Sequence, residues 1–376
     1  MPYLDHNATS PLRPEARAAM ERALGGANPS SVHAEGRKAR AIVEEARAKV
    51  AKLAKTDVKN VIFTSGGSEA NALALHAAIY GSAEAEKRLT RIFISAIEHD
   101  SVRANANALI ERFAGLRLET LPVRPNGTLD LEALRIVLRE GKGRALIAVM
   151  AANNETGVIQ PLAEVSKLAR EAGALLFADA IQAAGKIPLA FDADYITISS
   201  HKLGGPQGAG ALIAKTGVPF APQILGGGQE RGHRAGTENV AAIAGFGAAA
   251  EAASNIASNL RDHFETALKD IAPETIIFGK EAPRLANTSN FALPGILAET
   301  AVMALDLDGV MISSGAACSS GKVKPSHVLA AMGVSEDIAR CALRVSFGWN
   351  STEADADAAI ASLSKLLARA KARAAA

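Results

Sequence analysis

Residues 61–71 read VIFTSGGSEAN. A short β-branched and aromatic run leads into a Gly/Ser loop, and the loop opens a helix. Glycine lets a backbone approach a ligand closely. A helix N-terminus adds unpaired N–H groups and partial positive charge, a combination suited to phosphate. The plainer reading is a tight turn with Ser68 as the N-cap. The stretch alone leaves both open, but it sets a strand–loop–helix unit from which the rest of the chain can be read.

Working outward, the unit recurs. Residues 92–96 (IFISA), 145–151 (ALIAVMA), 174–179 (ALLFAD) and 195–199 (YITIS) read as buried strands. Helical patterns fall at 69–80, 101–114, 130–140 and 161–172; the last starts on Pro161 and stops near Gly173. Strand–helix alternation predicts an α/β fold with a mostly parallel sheet covered on both faces. After the glycine-rich residues 226–236, an alanine-rich helical pattern runs to about residue 270. Strand-like segments follow at 275–278, 287–292, 310–313 and 342–347, which predict a smaller C-terminal α/β domain. The expected division is a large domain over 15–255 and a small one over 1–14 and 256–376, with a boundary inside the long helix.

Length and composition agree. A chain of 376 residues suits two domains and a sizeable core. The net charge of +2 shows no block of like charge, so a nucleic-acid footprint is not expected. The first residues lack a signal peptide's basic and apolar regions, and no apolar run is long enough to span a membrane. Two cysteines, Cys318 and Cys341, give neither metal-ligand spacing nor a disulfide framework and suit a reducing compartment. A cytoplasmic protein with no membrane partner is expected.

Three further segments bear chemistry. Lys202 follows the strand 195–199 in SSHKLGGP, where a partly desolvated amine can act as a nucleophile and form a Schiff base; a surface lysine is the plainer alternative. Asp179 ends the strand 174–179, at the carboxyl edge where ligands sit in open α/β sheets. It can pair with a protonated ring nitrogen or simply cap a helix. His99, beyond 92–96, can stack on a ring or cap a loop. Cys318 lies in ISSGAACSSGKVKPSH (312–327), a composition that predicts a mobile loop in which Lys322 and Lys324 favour a thiolate modestly. A small inert thiol is the alternative, and it suits Cys341 better.

Taken in order, YLDHNATSP, NPSSVHAEGR, FTSGGSEANALA, EHDSV, NNETGVIQP, DAIQ, SSHKLGGPQGAG, GGGQERGHRAGTEN, SSGAACSSG and LRVSFG closely resemble the cysteine desulfurases of the nitrogen-fixation and iron–sulfur-cluster type. These belong to the class V aminotransferase-like branch of fold type I pyridoxal-phosphate enzymes. The resemblance spans nearly the whole chain. It implies pyridoxal 5'-phosphate on Lys202, with Asp179 at the ring nitrogen, Gln182 at the phenolic oxygen and His99 stacked on the ring. It implies a phosphate site of Gly67, Ser68, Ser199 and His201, completed by Thr237 from the second subunit of a homodimer. Asn154 should contact cofactor or substrate, and Asn7 and Arg344 should grip the substrate carboxylate. Cys318 should take sulfur from L-cysteine as a persulfide and pass it to an acceptor such as an iron–sulfur scaffold protein. A transient cluster contact through Cys318 is part of the same resemblance; no intrinsic metal is implied. The serine-rich SSGAACSSG resembles the group with the longer catalytic loop. His6 and Trp349 depart from the family's pattern and leave the subfamily open. A selenocysteine lyase, another class V aminotransferase or lyase, and a non-enzymatic binding scaffold are the rival expectations; the last is disfavoured by the presence of Lys202, Asp179 and Cys318.

Overall fold

The computed structural model describes residues 1–82, 88–253, 259–315 and 326–375. Cys318, Lys322 and Lys324 lie outside the described residues. The strands are β1 (Val61–Thr64), β2 (Leu89–Ser95), β3 (Arg117–Leu121), β4 (Arg144–Ala148), β5 (Leu175–Asp179), β6 (Tyr195–Ser199), β7 (Gly210–Ala214), β8 (Ile276–Ile277), β9 (Thr288–Ala292), β10 (Ser313–Ser314) and β11 (Ala342–Ser346). The helices are α1 (Pro14–Ala23), α2 (Ala34–Ala54), α3 (Gly67–Gly81), α4 (Asp100–Arg112), α5 (Leu131–Glu140), α6 (Leu162–Glu171), α7 (Val240–Ala252), α8 (Asn259–Ile271), α9 (Ala298–Leu307), α10 (His327–Ala331), α11 (Glu336–Ala339) and α12 (Glu353–Ala375).

Among the described residues, a seven-stranded sheet runs β1-β7-β6-β5-β4-β2-β3. β6, β5, β4, β2 and β3 are mutually parallel, whereas β7 is antiparallel to both its neighbours. The sheet is therefore mostly parallel, as the alternation predicts. β5 and β6 are buried at every position, the pattern of central strands covered on both faces. Alternate residues feed two cores. Phe63, Ile147, Leu176 and Ile198 pack with α2, α5, α6 and α7 on one face. Ile62, Leu146, Phe177 and Tyr195 pack with α3 and α4 on the other. Gly247 of α7 lets that helix lie against α2: a Cβ there would stand 2.6 Å from Ala46 Cα.

A four-stranded antiparallel sheet, β10-β11-β9-β8, carries α8, α9 and α12 around Phe264, Phe291 and Phe347. The chain's first residues join it, with Tyr3 bridged to Met311 and Asp5 to Ser346. A smaller core, including Ile97, Met150, Phe278 and Cys341, lies between the two sheets.

Three sequence expectations need adjustment. The helical run read from residue 236 to 270 is two helices, because Ala253 takes an extended backbone after α7. α7 is apolar nearly all round and buried against the large sheet, whereas α8 shows one apolar stripe to the core of the four-stranded sheet; one straight rod could not serve both. β4 stops at Ala148 rather than 151, although the N–H groups of Val149 and Ala151 still donate to Phe177 and Asp179 carbonyls. β3 and β7 escape the sequence reading: β3 is a charged edge strand, RLETL, and β7 is the short run GALIA after a glycine loop.

A buried ion pair ties the glycine-rich segment to the sheet. Arg47 donates to both Glu230 oxygens at 2.6 and 2.9 Å, and Glu230 also accepts from the Phe63 N–H at 2.9 Å. Glu230 and Arg231 both hold left-handed backbone conformations, φ 46° and 58°, which are unfavourable outside glycine. Removing one member of a buried pair strands the other's charge. Glu230→Ala is therefore expected to lower unfolding free energy by about 3–5 kcal/mol, measured by urea denaturation.

Candidate active site

The carboxyl ends of β5 and β6, the start of α3 and the middle of β11 converge on a cavity of about 290 Å³. Its lining includes Gly67, Ser68, His99, Asp179, Gln182 and Ser199 from the large sheet and its connections, together with Asn154, His201 and Lys202. Asn7 and Arg344 line it from the two ends of the chain. Thr237 does not line it; that residue is exposed on its own chain.

α3 begins here because Gly66 precedes it in an extended conformation and supplies no side-chain cap. The expected N-cap, Ser68, lies instead within the first turn, since helical geometry already begins at Gly67. A Cβ on Gly67 would stand 2.4 Å from Ile181 Cδ1 and 3.2 Å from Ser199 Cβ, so any larger residue would have to push the Ile181 side chain aside for the helix end to close the wall. The hydroxyls of Ser199 and Ser200 are buried and lack hydrogen-bond partners among the described residues. Unpaired buried hydroxyls are costly, and Ser199 beside an uncapped helix N-terminus offers a donor to an anion.

Asp179 is 4% exposed. Its Oδ2 accepts from Asn71 Nδ2 at 2.7 Å and its Oδ1 from the Ile181 N–H at 2.9 Å. Burial pushes its carboxyl up from the ordinary range, against the opposing pull of that N–H and of His99. A cationic ring N–H placed against it would favour the carboxylate. Asn71 is itself fixed by Thr197 Oγ1, which donates to Asn71 Oδ1 at 2.6 Å. His99 caps α4, its Nδ1 accepting from the Ser101 N–H at 3.1 Å, which leaves Nε2 as the ring nitrogen able to donate.

Lys202 Nζ donates to the carbonyls of Asn7 and Ala8, both at 2.6 Å. His201 Nδ1 is 2.9 Å from Thr9 Oγ1, and burial followed by the Lys202 charge lowers its pKa to about 4, so the ring is neutral at pH 7. Arg344, 1% exposed, pairs with Asp5 at 2.7 Å and donates to the Asn154 carbonyl at 3.1 Å, while its Nε is buried without a partner among the described residues. Asn7 is more committed than the sequence suggests. Its Oδ1 accepts from Lys186 and Asn287, and its Nδ2 donates to Asn154 and Thr288. Both ends of its amide are thus already engaged.

The sequence reading missed Asn71, Thr197 and Lys186. The available signals were a polar residue in an otherwise apolar helix and a lysine four residues after Gln182. The ten residues 316–325 are flanked by pocket neighbours: Ser313 pairs in register with Arg344, and the Ser326 hydroxyl donates to Glu155, next to Asn154. Burial first of all raises the Glu155 pKa to about 7.

The aminotransferase class-V family matches residues 2–359. An "IscS-like cysteine desulfurase" of Mycobacterium tuberculosis is 40% identical, covering 99% of this chain and 97% of its own. A "Cysteine desulfurase" of Cereibacter sphaeroides is 42% identical, covering 94% and 92%. The solved structure of a NifS-like protein from Rickettsia africae superposes with a TM-score of 0.87 at 34% identity over 98% of this chain and 99% of that one. With the fold, the full-length match and the relatives in agreement, this chain belongs to the aminotransferase class-V family, in its cysteine desulfurase branch.

Proposed function

We propose that the protein is a pyridoxal-phosphate-dependent cysteine desulfurase that moves sulfur from L-cysteine to Cys318 and releases L-alanine. The observation that carries this reading is the meeting of Lys202, Asp179, His99, Ser199 and Arg344 on one cavity, in a chain whose relatives are named cysteine desulfurases. The residues fit the cofactor. The unpartnered Ser199 hydroxyl, the Gly67 cradle and neutral His201 suit its phosphate. Asp179 suits its ring nitrogen, Gln182 its phenolic oxygen and His99 its ring face. Bound pyridoxal phosphate supplies an electron sink at the substrate α-carbon.

The chain's own groups do the rest. Arg344 receives the substrate carboxylate through its spare Nε–H, while Asp5 and the Asn154 carbonyl hold the guanidinium in place. Lys202 Nζ takes the α-proton. The Cys318 thiolate attacks the substrate sulfur; the S–S bond forms as the Cβ–S bond breaks, its electron pair stays on carbon, one proton adds at Cβ, and Lys202 Nζ returns a proton to the α-carbon to complete alanine. Two equivalents of an external thiol then release the persulfide as sulfide and give one disulfide. On this reading, residues 15–255 hold the cofactor, while 1–14 and 256–376 supply the carboxylate grip and Cys318. Thr237, exposed on its own chain, serves the cavity of a second subunit in a homodimer. An iron–sulfur scaffold protein in the cytoplasm is the proposed sulfur acceptor. No described helix is long and apolar enough to cross a membrane.

The test is product stoichiometry. Purified protein loaded with pyridoxal phosphate and given L-cysteine with excess dithiothreitol is expected to yield alanine and sulfide in equal amounts. Pyruvate in place of alanine, or no sulfide from a fully loaded protein, overturns the reading.

A further inference from the structure

Lys186 is a buried amine that the proposed chemistry leaves unused. It lies on the turn after β5, is 7% exposed, and its Nζ donates to Gln182 Oε1 at 2.9 Å and Asn7 Oδ1 at 3.1 Å. Both acceptors are neutral amides. The charged groups that act on it, Lys202 after β6 and Arg344 on β11, are cations, and burial with these two lowers its pKa to about 7. It in turn adds to the burial that holds His6 near 4. A lysine kept in such surroundings costs stability unless something else requires it.

What it does follows from the bonds it closes. Gln182 Nε2 donates to the Asn7 carbonyl at 2.9 Å, and that same carbonyl accepts Lys202 Nζ. Lys186 thus joins the two amides into one ring of hydrogen bonds ending on Lys202. With Gln182 Oε1 turned toward Lys186, the remaining Nε2–H is left as the group Gln182 can offer to the cavity, a donor and not an acceptor. We propose that Lys186 is a positioning residue that locks Gln182 and Asn7 as a unit, fixing Gln182 as a hydrogen-bond donor toward the cofactor's phenolic oxygen and the Asn7 carbonyl toward Lys202. This rests on the reading of the cavity as a pyridoxal-phosphate site.

The experiment is a double-mutant cycle on cofactor affinity, with thermal melting of the cofactor-free proteins alongside. Apoprotein is titrated with pyridoxal phosphate in the wild type, Lys186→Met, Gln182→Leu and the double variant. Lys186→Met is expected to weaken binding about tenfold while leaving the apoprotein's melting temperature unchanged or raised, because methionine fills the space without a buried amine. Gln182→Leu is expected to add little once Lys186 is gone. If the two losses multiply instead, or if affinity holds while the melting temperature falls, Lys186 is packing alone and the inference fails. Should Lys186→Met not fold, Lys186→Gln, a shorter side chain with two N–H donors in place of three, is expected to show the same coupling at about threefold. A wild type that takes up no pyridoxal phosphate sinks the reading of the cavity itself, an outcome distinct from a loaded wild type with multiplying losses.

Discussion

Lys202→Ala is expected to lower L-cysteine turnover by about 10³-fold or more, since it removes both the covalent anchor and the proton acceptor at the α-carbon. Its Nζ is held by two backbone carbonyls at 2.6 Å, which fix the amine at the cavity wall. Those carbonyls belong to Asn7 and Ala8, and the first is also served by Gln182, so the alanine variant loses the amine without collapsing its surroundings. The near-visible absorption band of lysine-bound cofactor should vanish, while the Ser199, His201 and Gly67 cradle still takes up pyridoxal phosphate reversibly. Absorption spectra and alanine release measured on the same sample check this. A variant retaining both the band and the rate would show that another amine carries the cofactor, and buried Lys186 would be the first to examine.

The second large effect belongs to Cys318→Ser. Sulfide release should fall about 10³-fold or more, in keeping with the removal of a nucleophile elsewhere in enzymology, because a serine hydroxyl is far less ionised than a thiol at neutral pH. Mass spectrometry of the wild type, quenched after L-cysteine without added thiol, should show one extra sulfur atom on the peptide containing Cys318. Cys341→Ser is the matched control. Cys341 is 4% exposed in the core between the sheets, with Sγ 3.4 Å from the Asp337 carbonyl, and its variant should turn over within about twofold of wild type. Sulfide release that survives Cys318→Ser and fails with Cys341→Ser would reverse the assignment of carrier.

Much of the site was legible because its central members are local. Asp179 ends the buried five-residue strand β5 and Lys202 comes three residues after the equally buried β6, and a polar residue at or just past the end of such a run lies at the sheet's carboxyl edge. Gly67 and Ser68 carry their own signal, glycine and serine where a strand turns into a helix. Asn7 and Arg344 are different. Their neighbourhood depends on Asp5 and Arg344 meeting across 339 residues of chain, and no periodicity in either segment reveals that meeting; only the family resemblance pointed to them. It also could not say that Asn7 would spend its whole amide on Lys186, Asn287, Asn154 and Thr288. The break after α7 was missed because alanine favours helix on both sides of it, and the change of core from one helix to the next is a tertiary fact.

The knot of Asn7, Asn154, Lys202 and Arg344 has a consequence for synthesis. Chains emerge from the ribosome N-terminus first, and Asn7 is made 337 residues before Arg344. The large sheet can form while translation continues, since β7 ends at Ala214. Its exposed rim then waits, with Lys202 in place and no guanidinium opposite, until β11 has been made and paired with β9. On the proposed roles, a chain that has not yet reached β11 can present the Lys202 amine to passing aldehydes but lacks the Arg344 grip on an amino acid, so sulfur mobilisation waits for β11.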